Sequence, residues 1–430
     1  MEELQTADRI RVSVIGGGIV GVCTALWLQR EGCSVTLVEA NEIGLGSSYG
    51  NAGCFNASSV VPVSTPGIIW NVPGYLLDPM GPLVIRPRYI PKITPWLVRF
   101  LLAGTSGRVD RQAAALGPLL RDSIGSYSPL IQGTPAAELV RHEGHLIVYR
   151  KKGDFEKDAL AWRLRRENGI VWEELRGQEL REFEPALTDE ADVGLSLPQN
   201  GHTVNPLAFV TALADNFRAG GGKIVRAKAT GFELADNRLV AVETTSGRIP
   251  CDRAVIACGA HSRKLAAQLG EKIPLDTERG YHIVIRDPEV MPRIPITDAS
   301  GRFVASPMDM GLRIAGTVEF AGLQAAPDMT RARQLIAHGK RLFPGLKDTY
   351  SDDRLSEWMG FRPSMPDSLP VIGPSRKTPD VVLAFGHGHV GMASGARTGA
   401  LVRDMLLDRP HTIPSRPFSP RRFDLFGGNR

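Results

Sequence analysis

The sequence predicts an α/β chain with two kinds of sheet: a buried, Rossmann-like parallel sheet, and a second domain in which helices accompany an antiparallel sheet. Three observations predict it. Arg11–Glu39, RVSVIGGGIVGVCTALWLQREGCSVTLVE, reads as strand, glycine turn, helix and second strand. Asp252–Ser262, DRAVIACGAHS, reads as another buried strand ending in a turn of small residues. Pro274–Ile285 and Phe303–Gly322 alternate instead as antiparallel strands do, with Leu312, Ile314 and Gly316 on one side. A length of 430 residues suits two or three domains.

Within the first segment, Val12–Ile15 is an apolar run suited to a buried strand, and Gly16, Gly18 and Gly21 punctuate the turn. Ile19–Glu31 is helix-compatible until Gly32 stops it, and Cys33–Val38 is the next strand. The first glycine permits the tight turn, the second lets backbone amides approach a pyrophosphate, and the third lets helix pack closely on strand. Glu39 then sits where a carboxylate takes ribose hydroxyls, so the segment predicts a dinucleotide site. A signal peptide or a membrane span fits poorly, although Val12–Gln29 is uncharged and follows Arg9 and Arg11. Three consecutive glycines weaken a lipid-facing helix, no small-residue cleavage site follows, and a strand pattern returns at once.

Composition narrows the class further. At 43% hydrophobic and 23% charged residues, the chain has enough apolar content for large cores. Its formal charge of +5 is mildly basic, but the arginines cluster only at Arg163, Arg165 and Arg166 and at Arg421 and Arg422. A nucleic-acid partner calls for a basic stripe interleaved with aromatic residues, which this chain does not show. The cysteines Cys23, Cys33, Cys54, Cys251 and Cys258 form neither a CxxC pair nor a metal-ligand spacing. They point to a reducing compartment, a cytoplasmic location and no metal.

Glu42–Gly53, EIGLGSSYGNAG, carries too much glycine for a regular element and reads as a loop moulded round a ligand. Ser47, Ser48 and Asn51 are placed in it to donate to phosphates or to a ring edge. Pro62–Gly104 mixes proline with large apolar residues such as Trp70, Tyr75, Leu76, Leu77, Trp96 and Phe100, in runs too short to span a bilayer. Two readings of it stay open. Short amphipathic pieces, with Arg86, Arg88, Lys92 and Arg99 beside Trp and Tyr, suit peripheral contact with the inner face of the cell membrane; a buried flank of the second domain is the alternative. Leu139–Lys151 has strand character and Asp154–Asn168 helical character. Asn205–Gly220 is predicted as a helix capped by Asn205 with Pro206 in its first turn, followed by strands at Lys223–Ala229, Leu239–Thr245 and Arg253–Ala257. The strand Val381–Phe385, the glycine-rich GHGHVGM and a helix to about Leu407 close the chain.

Five segments, taken together, resemble the amine-oxidising flavoproteins of the D-amino-acid oxidase and glycine oxidase type, most closely the bacterial D-amino-acid dehydrogenase branch. They are GGGIVG with Glu39, SSYGNAG from Ser47, ERGYH from Glu278, GFRPSMPDSLPVIG from Gly360 and GHGHVGM from Gly386. The resemblance covers nearly the whole chain. It implies FAD held in a discontinuous Rossmann-like domain of the GR2 type, residues 8–60, 196–273 and 356–415, with a substrate domain at 61–195 and 274–355. The FAD is expected to be noncovalent, because no cysteine follows Cys258. By position, the resemblance puts Gly16, Gly18, Ile19, Val20 and Gly21 at the pyrophosphate and Glu39 and Ala40 at the adenosine ribose. Ser47, Ser48, Asn51, Ala52 and Gly53 fall at the phosphates and flavin, and Thr230 where backbone meets adenine. Gly259, His389, Val390, Gly391 and Met392 complete the flavin pocket, the last four at a helix start.

Arg362 falls where the family's carboxylate-binding arginine lies, and a planar guanidinium suits a bidentate grip. Tyr281 and His282 look like residues that close on the substrate, although aromatic strand residues are also ordinary core. The activity implied is oxidative deamination of D-amino acids, D-proline or a hydroxy-D-proline among them, to 2-oxo acids or cyclic imines. Hydride passes from the α carbon to flavin N5, electrons leave to a quinone or another carrier, and His282 or His389 tunes the amine or the ring. Where His389 stands, some glycine oxidase relatives have an arginine, which argues against glycine-like substrates. The competing readings are an oxygen-using glycine or sarcosine oxidase and, from another class, an RNA-modifying or non-catalytic flavoprotein.

Overall fold

The computed structural model describes residues 9–70, 74, 81 and 83–424. The elements that carry the site are, in chain order, β1 (Arg11–Ile15), α1 (Ile19–Arg30), β2 (Ser34–Glu39), α2 (Pro206–Ala219), β3 (Lys223–Arg226), β4 (Arg253–Ile256), β5 (Asp276–Ile285), β6 (Gly311–Phe320), β7 (Leu355–Ser364), β8 (Val371–Pro374), β9 (Val381–Phe385) and α3 (Gly391–Leu406).

The first sheet runs β3-β2-β1-β4-β9-β8, parallel through β9 and closed by β8 running antiparallel. β1, β4 and β9 are apolar because both faces are covered, as in parallel sheets generally. Helices α1, α2 and α3 pack over one face, burying Val22, Leu26, Phe209, Leu213, Ala396 and Leu401 in a single core. α2 begins where expected: Asn205 Oδ1 accepts from Ala208 N at 3.1 Å, and Pro206 occupies the first turn. The anticipated strand Lys223–Ala229 is two elements, β3 and Ala229–Ala235, the second starting a three-stranded meander. The anticipated helix Asp154–Asn168 is likewise broken, at Asp158.

The second sheet has β7, β5 and β6 at one end, then Phe303–Met308, Ile296–Asp298, Leu146–Tyr149, Val193–Ser196 and Glu173–Arg176, with Leu83–Ile85 added on β6. It is mainly antiparallel but not wholly so. Ile296–Asp298 pairs in parallel with Leu146–Tyr149, and Leu83–Ile85 with β6.

Two expected domain boundaries move. β7 begins at Leu355 yet belongs to the second sheet, paired with β5 along its full length, so residues 356–364 lie outside the parallel-sheet domain. Residues between Ala115 and Val140, expected in the substrate domain, bury Leu116, Leu119, Leu120, Tyr127 and Leu130 in the core under α1 and α3. That apolar face of the helix Ser106–Leu120 and its successors fits the first core, and burial overrides position in the chain.

In the region 62–104, Tyr75, Leu76 and Leu77 lie outside the described residues. The helix Ile90–Ala103 buries Ile93 and Trp96 against Phe320 of β6, the flank arrangement, while Ile90, Val98, Leu101 and Leu102 of the same helix are exposed. Among the described residues no helix is long and apolar enough to cross a membrane.

Candidate active site

The glycines of the first turn do what their spacing predicts. Gly16 has a φ of +115° and sits so close to β4 that a Cβ there would overlap the Ala257 carbonyl. A Cβ at Gly21 would overlap the Gly16 carbonyl, so the third glycine is what allows α1 to rest on the turn. Gly18, at the cap of α1, has no side chain to offer; instead the N–H of Ile19, the first residue of the helix, donates to Ser48 Oγ at 3.0 Å, and Val20 follows it in the first turn. Glu39, at the end of β2 and half-buried, accepts from Gly17 N at 2.6 Å and, through its other oxygen, from Asn41 N at 2.8 Å, with Ala40 between them exposed. Each carboxylate oxygen keeps a free lone pair for a ribose hydroxyl. Ala227 N–H donates to the Glu39 carbonyl at 2.8 Å, which brings the chain after β3 beside the acid. Thr230 is a little further on: it is exposed in the meander and its carbonyl is taken by Gln268 at 2.9 Å. Ala227 is thus the residue beside the acid, and Thr230 lies one residue into the meander that starts at Ala229.

The loop after β2 is pinned by the second sheet. Ser47 Oγ donates to the Phe361 carbonyl at 2.5 Å, Asn51 Oδ1 accepts from Gly53 N at 2.8 Å, and Ser306 Oγ donates to the Ala52 carbonyl at 2.7 Å. Ser47 thus spends on shaping the loop the hydroxyl hydrogen expected to meet phosphate, Asn51 spends only its acceptor Oδ1, and Ser48 stays at the cradle. Arg313, on β6 and 1% exposed, donates to the carbonyls of Tyr49 at 3.0 Å and Asn51 at 2.6 Å. Burial pushes its guanidinium down to about 10, still charged at neutral pH. Sequence reading missed this clamp, since nothing local marks one arginine among many.

Across the loop, β5 and β7 present one face. Glu278 pairs with Arg362, Gly280 with Gly360 and His282 with Trp358 in register. A Cβ at Gly280 would overlap the Arg362 guanidinium, which lies over that glycine and donates to the carbonyls of Thr317 at 2.9 Å and Gly316 at 3.5 Å. Trp358 fits between Gly50 and Gly360, where a Cβ at either would overlap its ring, and stacks on His282 with ring centroids 5.2 Å apart. His282 Nδ1 lies 3.2 Å from the Gly50 carbonyl, an acceptor only, so Nδ1 carries the hydrogen and Nε2 is left bare and buried without a partner. Burial first, then Arg313 and Arg362, hold the His282 ring down to about 3.

Tyr281 is not part of this face. Strand alternation turns it to the opposite side, where its hydroxyl donates to Glu319 at 2.6 Å and accepts from Asp328 N at 3.1 Å. The expectation that Tyr281 joins His282 over the substrate is corrected for that reason.

The last glycine-rich loop closes the site. Gly388 N–H donates to the Pro363 carbonyl at 2.8 Å, and Val390 leads into α3 with Gly391 at its first position and Met392 buried behind it. Gly259 and Gly388, with φ of +54° and +51°, both border open space, where an added Cβ would meet nothing within 4 Å. His389 is 42% exposed to that space, and its Nε2 lies 3.4 Å from Glu278 Oε2. Burial pulls the His389 ring below its ordinary value, Glu278 opposing and Arg362 adding to the effect. All cysteines are unpaired; Cys258, near the cradle, is pushed up to about 12 by burial and donates to the Ile15 carbonyl.

A glycine cradle at the end of β1, an acid at the end of β2 and an arginine-bearing face across an open groove define a two-domain dinucleotide-dependent oxidoreductase. The chain belongs to the DAO family of FAD dependent oxidoreductases, whose family model matches residues 11–405. It is 46% identical over 415 residues to a D-amino-acid oxidase of Bradyrhizobium diazoefficiens, covering 96% of this chain and 98% of that one. It is 29% identical to D-amino acid dehydrogenase 2 of Ralstonia nicotianae, over 96% of this chain and all of that one (100%). Among solved structures, an L-proline dehydrogenase from P. horikoshii superposes with a TM-score of 0.73 at 19% identity, covering 97% of this chain and 98% of that one. Glycine oxidase from Bacillus cereus gives 0.69 at 18%, covering 95% and 97%. At those identities the structures speak for the fold. The cofactor is FAD, and the open space beside Gly259 and Gly388 together with the tight glycine turn at Gly16 fits it.

Proposed function

We propose that this chain oxidises D-amino acids, deaminating them to 2-oxo acids and turning cyclic substrates such as D-proline or a hydroxy-D-proline into imines. The observation that carries this reading is Arg362. Its guanidinium lies over Gly280, and among the described residues no carboxylate is within ion-pair distance of it, so its charge is available to a substrate carboxylate. The 46% identity to a D-amino-acid oxidase over nearly the whole chain gives the same direction.

FAD, when bound along the groove, supplies the acceptor for the α-carbon hydride. The residues then do three things. Backbone at Gly18 to Val20 would hold the pyrophosphate on a turn that Gly16 and Gly21 make possible, with Glu39 and the Ala227–Ala229 backbone at the adenosine end. Arg362 fixes the carboxylate and so the orientation of the α carbon. His282, neutral and stacked on Trp358, walls the site against water.

The electron acceptor is proposed as a quinone or another carrier, in keeping with the dehydrogenase relatives. Oxygen is a second reading with specific support, since the relative at 46% identity bears the name oxidase. Anaerobic mixing of the yellow protein with D-amino acids, L-amino acids, glycine, sarcosine and hydroxyprolines tests the substrate class: D-amino acids bleach the flavin band, and bleaching by L-amino acids alone would overturn the reading. Hydrogen peroxide yield in air, set against dye reduction without air, separates the acceptors. Peripheral membrane contact through the exposed side of Ile90–Ala103 is proposed with it, tested by co-sedimentation with anionic vesicles.

A further inference from the structure

β5 and β7 place opposite charges next to each other on the face that looks at the groove. Glu278 and Arg362 are direct cross-strand partners. Glu278 is 3% exposed, and its Oε1 accepts from Ser364 Oγ at 2.6 Å. Its Oε2 is buried with no hydrogen-bond partner, with His389 Nε2 at 3.4 Å. A buried carboxylate oxygen without a donor is costly to retain, so the vacancy in its hydrogen bonding calls for a partner that arrives from outside the protein.

The geometry points to that partner: we propose that Glu278 is the ammonium-binding residue of the site, its Oε2 accepting from the substrate's protonated amine while Arg362 grips the carboxylate. This deepens the D-amino-acid reading and rests on it. An α-amino acid carries opposite charges one carbon apart, and neighbouring cross-strand side chains of opposite sign match that dipole. The groups facing Glu278 are Arg362 and Ser364 from β7 and His389 from the loop before α3. Ser364 engages the other oxygen, and Arg362 is turned to the Thr317 and Gly316 carbonyls. Burial holds the His389 ring below its ordinary value, with Glu278 opposing. A protonated secondary amine still has two N–H groups, so a cyclic imino acid is served by the same oxygen. A 2-hydroxy acid lacks the charge and is discriminated against.

The test uses the FAD-loaded protein and a matched pair of ligands, D-alanine and its des-amino counterpart propanoate, titrated while the flavin absorbance is followed without air. Glu278→Gln is expected to weaken D-alanine by about 10- to 100-fold, the loss of a hydrogen bond to a charged group, while propanoate stays within about twofold of the parent. Glu278→Asp recovers part of the loss. Parallel weakening of both ligands marks a structural carboxylate and overturns the proposal, as does no change in either. If no D-amino acid bleaches the parent protein, the D-amino-acid reading has failed separately. The same paired titration with glycine and acetate, also an ammonium carboxylate and its des-amino partner, then decides Glu278.

Discussion

Arg362 owes its place to a residue without a side chain. The guanidinium lies where a Cβ on Gly280 would be, so Gly280→Ala is expected to push it aside and raise the KM for amino acids about tenfold or more with the flavin content unchanged. Steady-state kinetics beside the 450-nm-region absorbance per protein checks this, and a normal KM would refute it. Arg362→Lys keeps the charge but loses the planar fork, and about a 100-fold fall in kcat/KM is expected. Arg362 and His282 were picked out in the sequence because they sit in motifs, and the structure sets them on neighbouring strands of one sheet. Glu278 stood in the same quoted motif and passed unnoticed, since a glutamate on a strand looks like any polar residue until its partners are known. Tyr281 was misplaced for a related reason: adjacent strand residues face opposite ways, and sequence does not say which face meets the groove.

At the level of elements, the turn between β1 and α1 is the most constrained. Gly21→Ala would drive a methyl group into the Gly16 carbonyl, so the turn must open, and the flavin-to-protein ratio of the purified variant is expected to fall well below one half. A full complement of FAD would contradict that. α2 gives a milder case. Asn205→Ala removes its capping bond to Ala208 N and is expected to cost about 1 kcal/mol, read as a drop of about 2 °C in the thermal midpoint with activity intact. Both elements were readable from the chain because their signals are local: glycine spacing in one, Asn-Pro at a helix start in the other. The helix Ile90–Ala103 was not, because its burial depends on Phe320, which is distant in sequence.

For the whole molecule, the two sheets are joined at the site by Arg313 reaching into the loop after β2. Arg313→Met would leave the Tyr49 and Asn51 carbonyls without their donor, and a weaker FAD dissociation constant is expected, by about tenfold, measured by fluorescence on dilution. Acid stability is also a property of the assembled cores. His145, His282 and His387 are lowered to about 3, and His202 to about 4, all chiefly by burial. An unfolded chain takes up these protons as the pH drops through about 6.5, whereas the folded chain refuses them until about 3 to 4. Over that window the unfolded state binds more protons, so stability is complete above about pH 7 and is lost on acidification. Thermal midpoints from pH 7.5 to 4.5 are expected to fall steadily, and a flat profile would be inconsistent with four buried neutral imidazoles.

The sequence by itself determined the glycine turn, the family and the alternation of two sheet types, because each rests on contacts between residues near one another in the chain or on motifs several residues long. Tertiary structure alone decided which face of β5 Arg362 and Trp358 share, that β7 leaves the parallel-sheet domain for the other sheet, that residues around Leu116–Tyr127 serve the first core, and that Glu278 and Arg362 stand side by side. Those facts depend on pairings and burial between segments up to hundreds of residues apart. Register and burial are set by the free energy of the whole packed core, which no local pattern carries.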